Sequence, residues 1–327
     1  MKKKSILQLV VLFTFAFMLV RATSAQTYPS RPIKIVVGYG AGGPADTIAR
    51  VYAEKLQAVL HSPVIVENKP GAYEQVAANT VRSAIPDGYT LWLGTAGALT
   101  MGPGVRPNIP YDILKDFTHI ARIAEVEAIL AVKNGLPVNS LAEFISYAKA
   151  NPNKLFFATA GVGAGNHLLT EYIMNVTGIK LTHVPYKSDA DVANELTAGN
   201  VDFGIPVAAQ AVPFIAAHKF KPIAVTGRQR LKSLPNVPTT GESVEVLKSV
   251  GIYSIYGLLA PAGLPAAVTQ KLSDAFNKVA QMPEVVQRLD SVSVRATTST
   301  PIEFRTYLET EGAKWRTVGK SLNINFN

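Results

Sequence analysis

The chain has 327 residues, 48% of them hydrophobic, with no cysteine and a formal net charge of +9. The lack of cysteine excludes disulfides, thiolate metal sites and a cysteine nucleophile, and a chain this long can bury enough core to fold without cross-links. Its basic residues are scattered, with Lys219/Lys221 and Arg228/Arg230/Lys232 the nearest to a cluster, so nothing points to a nucleic acid partner.

At the N-terminus, Lys2, Lys3 and Lys4 precede an uncharged apolar run from Ile6 to Val20, and Thr23-Ser24-Ala25 follows with small residues. That order reads as a signal peptide over residues 1–25. The apolar run falls short of the ~20 residues that a spanning helix needs, which favours cleavage over a membrane anchor. The mature protein is expected in the periplasm, starting near Gln26, and without cysteine it has no lipid-modified tether. Removing Lys2, Lys3, Lys4 and Arg21 leaves 28 basic residues against 23 acidic ones, a net of +5 that mildly favours anionic ligands.

From Pro32 onward strand and helix signals alternate. Ile33 to Val37 is a β-branched run ending at Gly38, and Asp46 to Leu60 has helical spacing. Val64 to Val66 reads as a strand, Gly71 to Ala84 as a helix and Thr90 to Gly94 as a third strand. The apolar stretch from Phe117 to Val132 follows. Helices over Leu141–Ala150, His167–Val176 and Asp189–Ala198 then alternate with strands at Leu155–Ala158, Leu181–Val184 and Val201–Ile205. Ile223–Thr226 and Ile255–Ala260 are further strands, and the chain closes with helices over 267–280, 283–289 and 301–322. This alternation predicts α/β architecture with parallel sheets. The roughly 300 mature residues suit two domains.

A strand, glycine-rich turn and helix occur together twice. The first turn is Gly38-Tyr39-Gly40-Ala41-Gly42-Gly43-Pro44-Ala45-Asp46, and the second runs from Ala158 through Ala160, Gly161, Gly163, Ala164 and Gly165 to His167. Glycine lets backbone N–H groups approach a ligand closely, and a helix start adds unpaired donors and partial positive charge. Either turn can equally serve as a tight loop, with Asp46 as a cap or first-turn residue. Gly38-x-Gly40-x-x-Gly43, with Glu67 at the end of the next strand, also satisfies a dinucleotide fingerprint. An exported NAD(P)-dependent oxidoreductase is therefore the alternative. Export of an unfolded chain, without a twin-arginine signal, weighs against it.

The five histidines, His61, His119, His167, His183 and His218, show no metal-ligand spacing, and no G-x-S-x-G nucleophile elbow is present. No catalytic residue and no cofactor are assigned.

Several segments together resemble the Bug-type periplasmic receptors of tripartite tricarboxylate transporters. They include Tyr28-Pro29-Ser30-Arg31-Pro32-Ile33, Ala41-Gly42-Gly43-x-x-Asp46-x-x-Ala49-Arg50 and Val66-Glu67-Asn68-Lys69-Pro70-Gly71-Ala72. Further pieces are Pro86-Asp87-Gly88-Tyr89-Thr90-Leu91, His183-Val184-Pro185-Tyr186-Lys187 and Leu259-Ala260-Pro261-Ala262-Gly263. The resemblance implies a bilobal type II periplasmic-binding-protein fold, a Venus flytrap with crossing hinge strands. Residues 26–127 with 255–327 would form domain 1, and residues 128–254 domain 2. It further implies a monomer that captures a small-molecule ligand, a carboxylate, for integral membrane transporter subunits. By the same resemblance Tyr39, Ala41, Gly42, Gly43 and Asp46 line one wall, extended by Thr95 and Ala96. Ala160, Gly161, Gly163, Ala164 and Gly165 line the other.

The sequence departs from the family's usual pattern at Tyr73-Glu74-Gln75, at Ala164 and Gly165, at Ser188-Asp189 and at Pro206-Val207. These positions replace small or hydroxyl-bearing residues and one acid. Tyr73, Asp189, Pro206 and Val207 therefore join the candidate site, and an aromatic or amine-bearing acid becomes an expected ligand.

Overall fold

The computed structural model describes residues 28–106, 108–251 and 253–321. The segment read as a signal peptide and the start near Gln26 lie outside the described residues. The chain first forms β1 (Ile33–Val37), α1 (Pro44–Leu60), β2 (Val64–Asn68), α2 (Gln75–Arg82) and β3 (Thr90–Thr95). A π-helical turn (Gly97–Met101), α3 (Gly102–Val105) and β4 (Phe117–Val126) follow. It then forms β5 (Ile129–Lys133), α4 (Leu141–Ala150), β6 (Phe156–Thr159), α5 (Gly165–Thr177), β7 (Thr182–Pro185) and α6 (Asp189–Ala198). Next come β8 (Phe203–Gly204), α7 (Ala208–Ala216), β9 (Phe220–Val225), α8 (Thr240–Ser243) and a 3-10 turn (Glu245–Val250). The last elements are β10 (Ser254–Pro261), α9 (Ala266–Ala280), α10 (Pro283–Asp290), β11 (Val294–Ala296) and α11 (Pro301–Ser321).

These strands form two sheets, in the orders β11-β4-β10-β3-β1-β2 and β7-β6-β8-β5-β9. Each has the same central plan. β1 lies between parallel β2 and β3, and β6 lies between parallel β7 and β8. An antiparallel strand then flanks each trio, β10 beside β3 and β5 beside β8. Strands covered on both faces favour continuous β-branched runs. Accordingly Ile33, Ile35, Val36 and Val37 of β1 are all buried. Against this sheet α1 packs Ile48, Val51, Tyr52 and Leu56, and the Tyr52 hydroxyl donates to the Ile123 carbonyl at 2.6 Å. Each such side chain contributes about 1.5–3 kcal/mol when fully buried.

The apolar stretch from Phe117 to Val132 is two strands, β4 in the first sheet and β5 in the second. Between them the buried Glu127 accepts hydrogen bonds from Thr226 at 3.0 Å and from Arg295 at 3.0 Å. The carboxyl thus ties the crossing to β11 and to the end of β9.

The helix expected to begin at Gly71 begins at Gln75, because Gly71, Ala72, Tyr73 and Glu74 all have positive φ, at 139°, 45°, 54° and 71°. Such angles interrupt any right-handed helix. The strand expected over Val201–Ile205 contracts to Phe203–Gly204.

Candidate ligand-binding site

In open α/β sheets, ligands bind beyond the carboxyl ends of the parallel strands. The two glycine-rich turns leave the sheets there, one after β1 and one after β6. In the first, Gly42 takes a left-handed φ of 85°, and its N–H donates to Asp46 Oδ2 at 2.9 Å. Arg50 Nε donates to the same oxygen at 2.9 Å, and Asn68 Nδ2 to Asp46 Oδ1 at 2.9 Å. Asp46 is buried, and hydrogen bonding from Arg50, opposed by burial and assisted by Gly42 and Asn68, lowers its pKa to about 2. Its carboxylate holds the turn in shape.

In the second turn, the Ala160 N–H donates to Asn166 Oδ1 at 3.1 Å and the Gly163 N–H to His167 Nδ1 at 2.9 Å. Acceptance at Nδ1 puts the ring proton of His167 on Nε2, which faces Glu171 at 3.6 Å. His167 also stacks on His183 at 4.1 Å, and burial together with His167 lowers the His183 pKa to about 4. The His183 imidazole is therefore a neutral ring near pH 7.

Between the turns lies a cavity of about 440 Å³. Of the residues singled out in the sequence, Tyr39, Gly43, Tyr73, Thr95 and Ala96 line it from the first lobe. From the second lobe come Ala160, Gly163, Ala164, Gly165, Asp189 and Val207. Ala41, Gly42, Asp46, Gly161 and Pro206 are absent from its lining.

Several lining residues carried no sequence assignment. Glu74, the residue before α2, is 1% exposed, and its carboxylate accepts from the Thr95 N–H at 3.2 Å and from the Thr95 hydroxyl. That hydroxyl lies 3.3 Å from the Tyr39 hydroxyl. Burial raises the Glu74 pKa to about 7 despite the Thr95 bonds. Gly38 makes room for it, since a Cβ there would stand 2.6 Å from Glu74 Cγ. Arg106 places its guanidinium 3.7 Å over the Tyr73 ring and donates to the Gly163 carbonyl at 3.0 Å. The Tyr73 hydroxyl donates to the Val162 carbonyl at 3.0 Å, so Tyr73 and Arg106 together bridge the lobes. Tyr253, Tyr256 and Gln210 also line the cavity.

Four helices start at this cavity: α1 at Pro44, α5 at Gly165, α6 at Asp189 and α7 at Ala208. No side chain caps the starts of α1, α5 and α7. Pro44 has no N–H and the Ala208 N–H donates to the Glu127 carbonyl at 2.9 Å, so the helix dipoles and the remaining first-turn N–H groups are what suit a bound anion. Only α6 is capped, by Ser188.

Two α/β lobes with helix starts gathered at the cavity between them define a solute-binding receptor of the periplasmic class. The model of the tripartite tricarboxylate transporter family receptor matches residues 48–324. A UPF0065 protein of Bordetella pertussis is 36% identical over 296 residues, covering 90% of each chain. The structure of R. palustris Rpa4515 with adipate superposes with a TM-score of 0.78 at 30% identity, covering 90% of this chain and 98% of that one. The structure of the periplasmic binding protein BugD gives 0.76 at 30% identity, covering 91% and 99%. The chain belongs to the family of tripartite tricarboxylate transporter receptors, which are periplasmic solute-binding proteins.

Membership in that family replaces the oxidoreductase alternative. The acid that a dinucleotide ribose would need, Glu67, is paired with Lys34 at 2.6 Å and Lys69 at 3.1 Å. Among the described residues no helix is long and apolar enough to cross a membrane.

Proposed function

We propose that this receptor captures a small organic acid between its two glycine-rich turns and presents it to the integral membrane subunits of a tripartite tricarboxylate-type transporter. The observation that carries this reading is the set of three uncapped helix starts, α1, α5 and α7, at one cavity. Unpaired N–H groups at helix starts bind carboxylates without needing a basic side chain at every contact. The adipate bound by the Rpa4515 protein supports a carboxylate as the ligand class. Two domains, 26–127 with 255–327 and 128–254, act as the lobes. The protein works as an exported monomer after loss of residues 1–25, with no catalytic step and no cofactor.

A thermal-shift screen of organic acids, ω-amino acids and aromatic acids tests this function. A ligand at 100 times its dissociation constant should add about 2.7 kcal/mol of stability. A screen in which carboxylates give no shift, while neutral sugars or nucleotides do, would contradict the proposal.

A further inference from the structure

The helix start at α6 differs from the other three. Its cap is made by Ser188 and Asp191: the Asp191 N–H donates to Ser188 Oγ at 3.2 Å, and Ser188 Oγ donates to Asp191 Oδ2 at 2.9 Å. The Lys187 N–H adds a further bond to Asp191 Oδ2 at 3.3 Å. Asp189 takes no part in this cap, yet it lines the cavity. Its Oδ1 accepts from Asn166 Nδ2 at 2.9 Å. Among the described residues no salt bridge reaches it, and no hydrogen bond to Oδ2 is present. Gln210, also in the lining, has a buried Oε1 with no hydrogen-bond partner among the described residues. The cavity wall from the second lobe therefore presents two acceptors awaiting donors, one of them an acid.

Aromatic rings line the same cavity: Tyr39, Tyr73, Tyr253 and Tyr256. Tyr39 is 43% exposed and offers a ring face that attracts a cation, whereas the Tyr73 ring already carries the Arg106 guanidinium at 3.7 Å. An unpaired carboxylate in a confined site favours a cationic partner and repels a second carboxylate. Among the described residues no group of three or more His, Asp or Glu side chains is placed to hold a metal ion, so the cation that suits this wall is organic.

We infer that Asp189 is a specificity-determining residue that pairs with an ammonium group of the ligand, so that this receptor takes a zwitterionic amino acid in preference to a dicarboxylate. The inference rests on the proposed capture of a carboxylate in this cavity. The carboxylate end of the ligand meets the uncapped start of α1, in the first lobe. The amine end meets Asp189, with the Gln210 amide oxygen as a second acceptor.

Matched probes test it: succinate against 4-aminobutanoate, glutarate against 5-aminopentanoate and adipate against 6-aminohexanoate. Each pair exchanges one carboxylate for an aminomethyl group. Titration calorimetry on the native protein should show the amino acid of the best-binding pair about tenfold tighter or more, the least that a charge-assisted hydrogen bond supplies. Asp189→Asn, which keeps an acceptor for Asn166, should invert that ratio in favour of the diacid. Native protein that binds the diacid as tightly or more tightly overturns the inference and leaves the carboxylate reading standing. An Asp189→Asn ratio equal to the native one overturns the assignment to Asp189. If the native protein binds no member of any pair but does bind a non-carboxylate solute, the underlying reading fails, and the inference with it.

Discussion

In the first glycine-rich turn a backbone N–H, that of Gly42, is held by the carboxylate of Asp46. In the second the N–H of Ala160 is held by the neutral amide of Asn166, which then reaches to the carboxylate of Asp189. Both turns are thus fastened from the first two turns of the following helix. They differ in where the charge goes. Asp46 is surrounded by Arg50, Asn68 and the Gly42 N–H and is absent from the cavity lining. Asp189 lines the cavity with one oxygen unpaired, and burial raises its pKa to about 6. A paired acid serves as scaffold, whereas an unpaired one facing a binding cavity acts on the ligand. Glu74 belongs with Asp189 in this contrast, because it too lacks a cationic partner, and burial raises its pKa to about 7.

The largest expected effect comes from Glu74. Its pKa is about 7 in the folded protein against an ordinary 4.5, so the native state holds an extra proton between those values. Stability is then greatest below about pH 4.5 as far as this group is concerned, and is lost as pH rises through 7. Glu74→Gln, which mimics the protonated form, should raise the unfolding free energy at pH 8 by on the order of 3 kcal/mol. At pH 4 it should change little. Urea unfolding at the two pH values checks this, and equal effects at both would break the distinction between paired and unpaired acids.

Asp46 should behave in the opposite sense. Its folded pKa of about 2 lies below the ordinary 3.8, so its contribution is present above pH 4 and fades as pH falls toward 2. Asp46→Asn should cost about 2 kcal/mol at pH 7 and less at pH 3, with ligand affinity unchanged. Denaturation and calorimetry on the same variant would sharpen the comparison, and a large loss of affinity would move Asp46 from the scaffold to the site.

The smallest effect concerns the bridge between the lobes. Tyr73→Ala removes both the hydroxyl bond to Val162 and the ring under Arg106. Ligand affinity should fall by roughly 1 kcal/mol, about fivefold. Tyr73→Phe keeps the ring and should lose less than half of that by calorimetry.

Much of the fold was legible because β-branched runs and glycines mark the strand, turn and helix units directly. β1, α1, β3 and α6 fall where the spacing places them. The run from Gly71 to Glu74 was not, because three residues other than glycine adopt positive φ there and override a helical pattern that the side chains alone support. For the site, the turns announced themselves through glycine. Glu74 was visible only as an acid where related receptors carry small residues, with no hint that Gly38 leaves space for it. Arg106, Gln210, Tyr253 and Tyr256 reach the cavity from an irregular segment, a helix start and a returning strand. No short-range pattern records those meetings, since they depend on how the two sheets are joined.

The central claim, that the ligand lies between the two turns, is tested most directly by titrating the tightest carboxylate of the screen into native protein and Gly165→Val. Gly165 opens α5 at the cavity, and a Cβ there would stand 3.0 Å from the Tyr253 hydroxyl. The branched side chain of valine would therefore push that ring or itself into the ligand's space. Calorimetry should show one ligand bound per native chain and a loss of about 100-fold or more in the variant, with its melting temperature little changed. Equal affinity in the two proteins would contradict the account and place the ligand elsewhere.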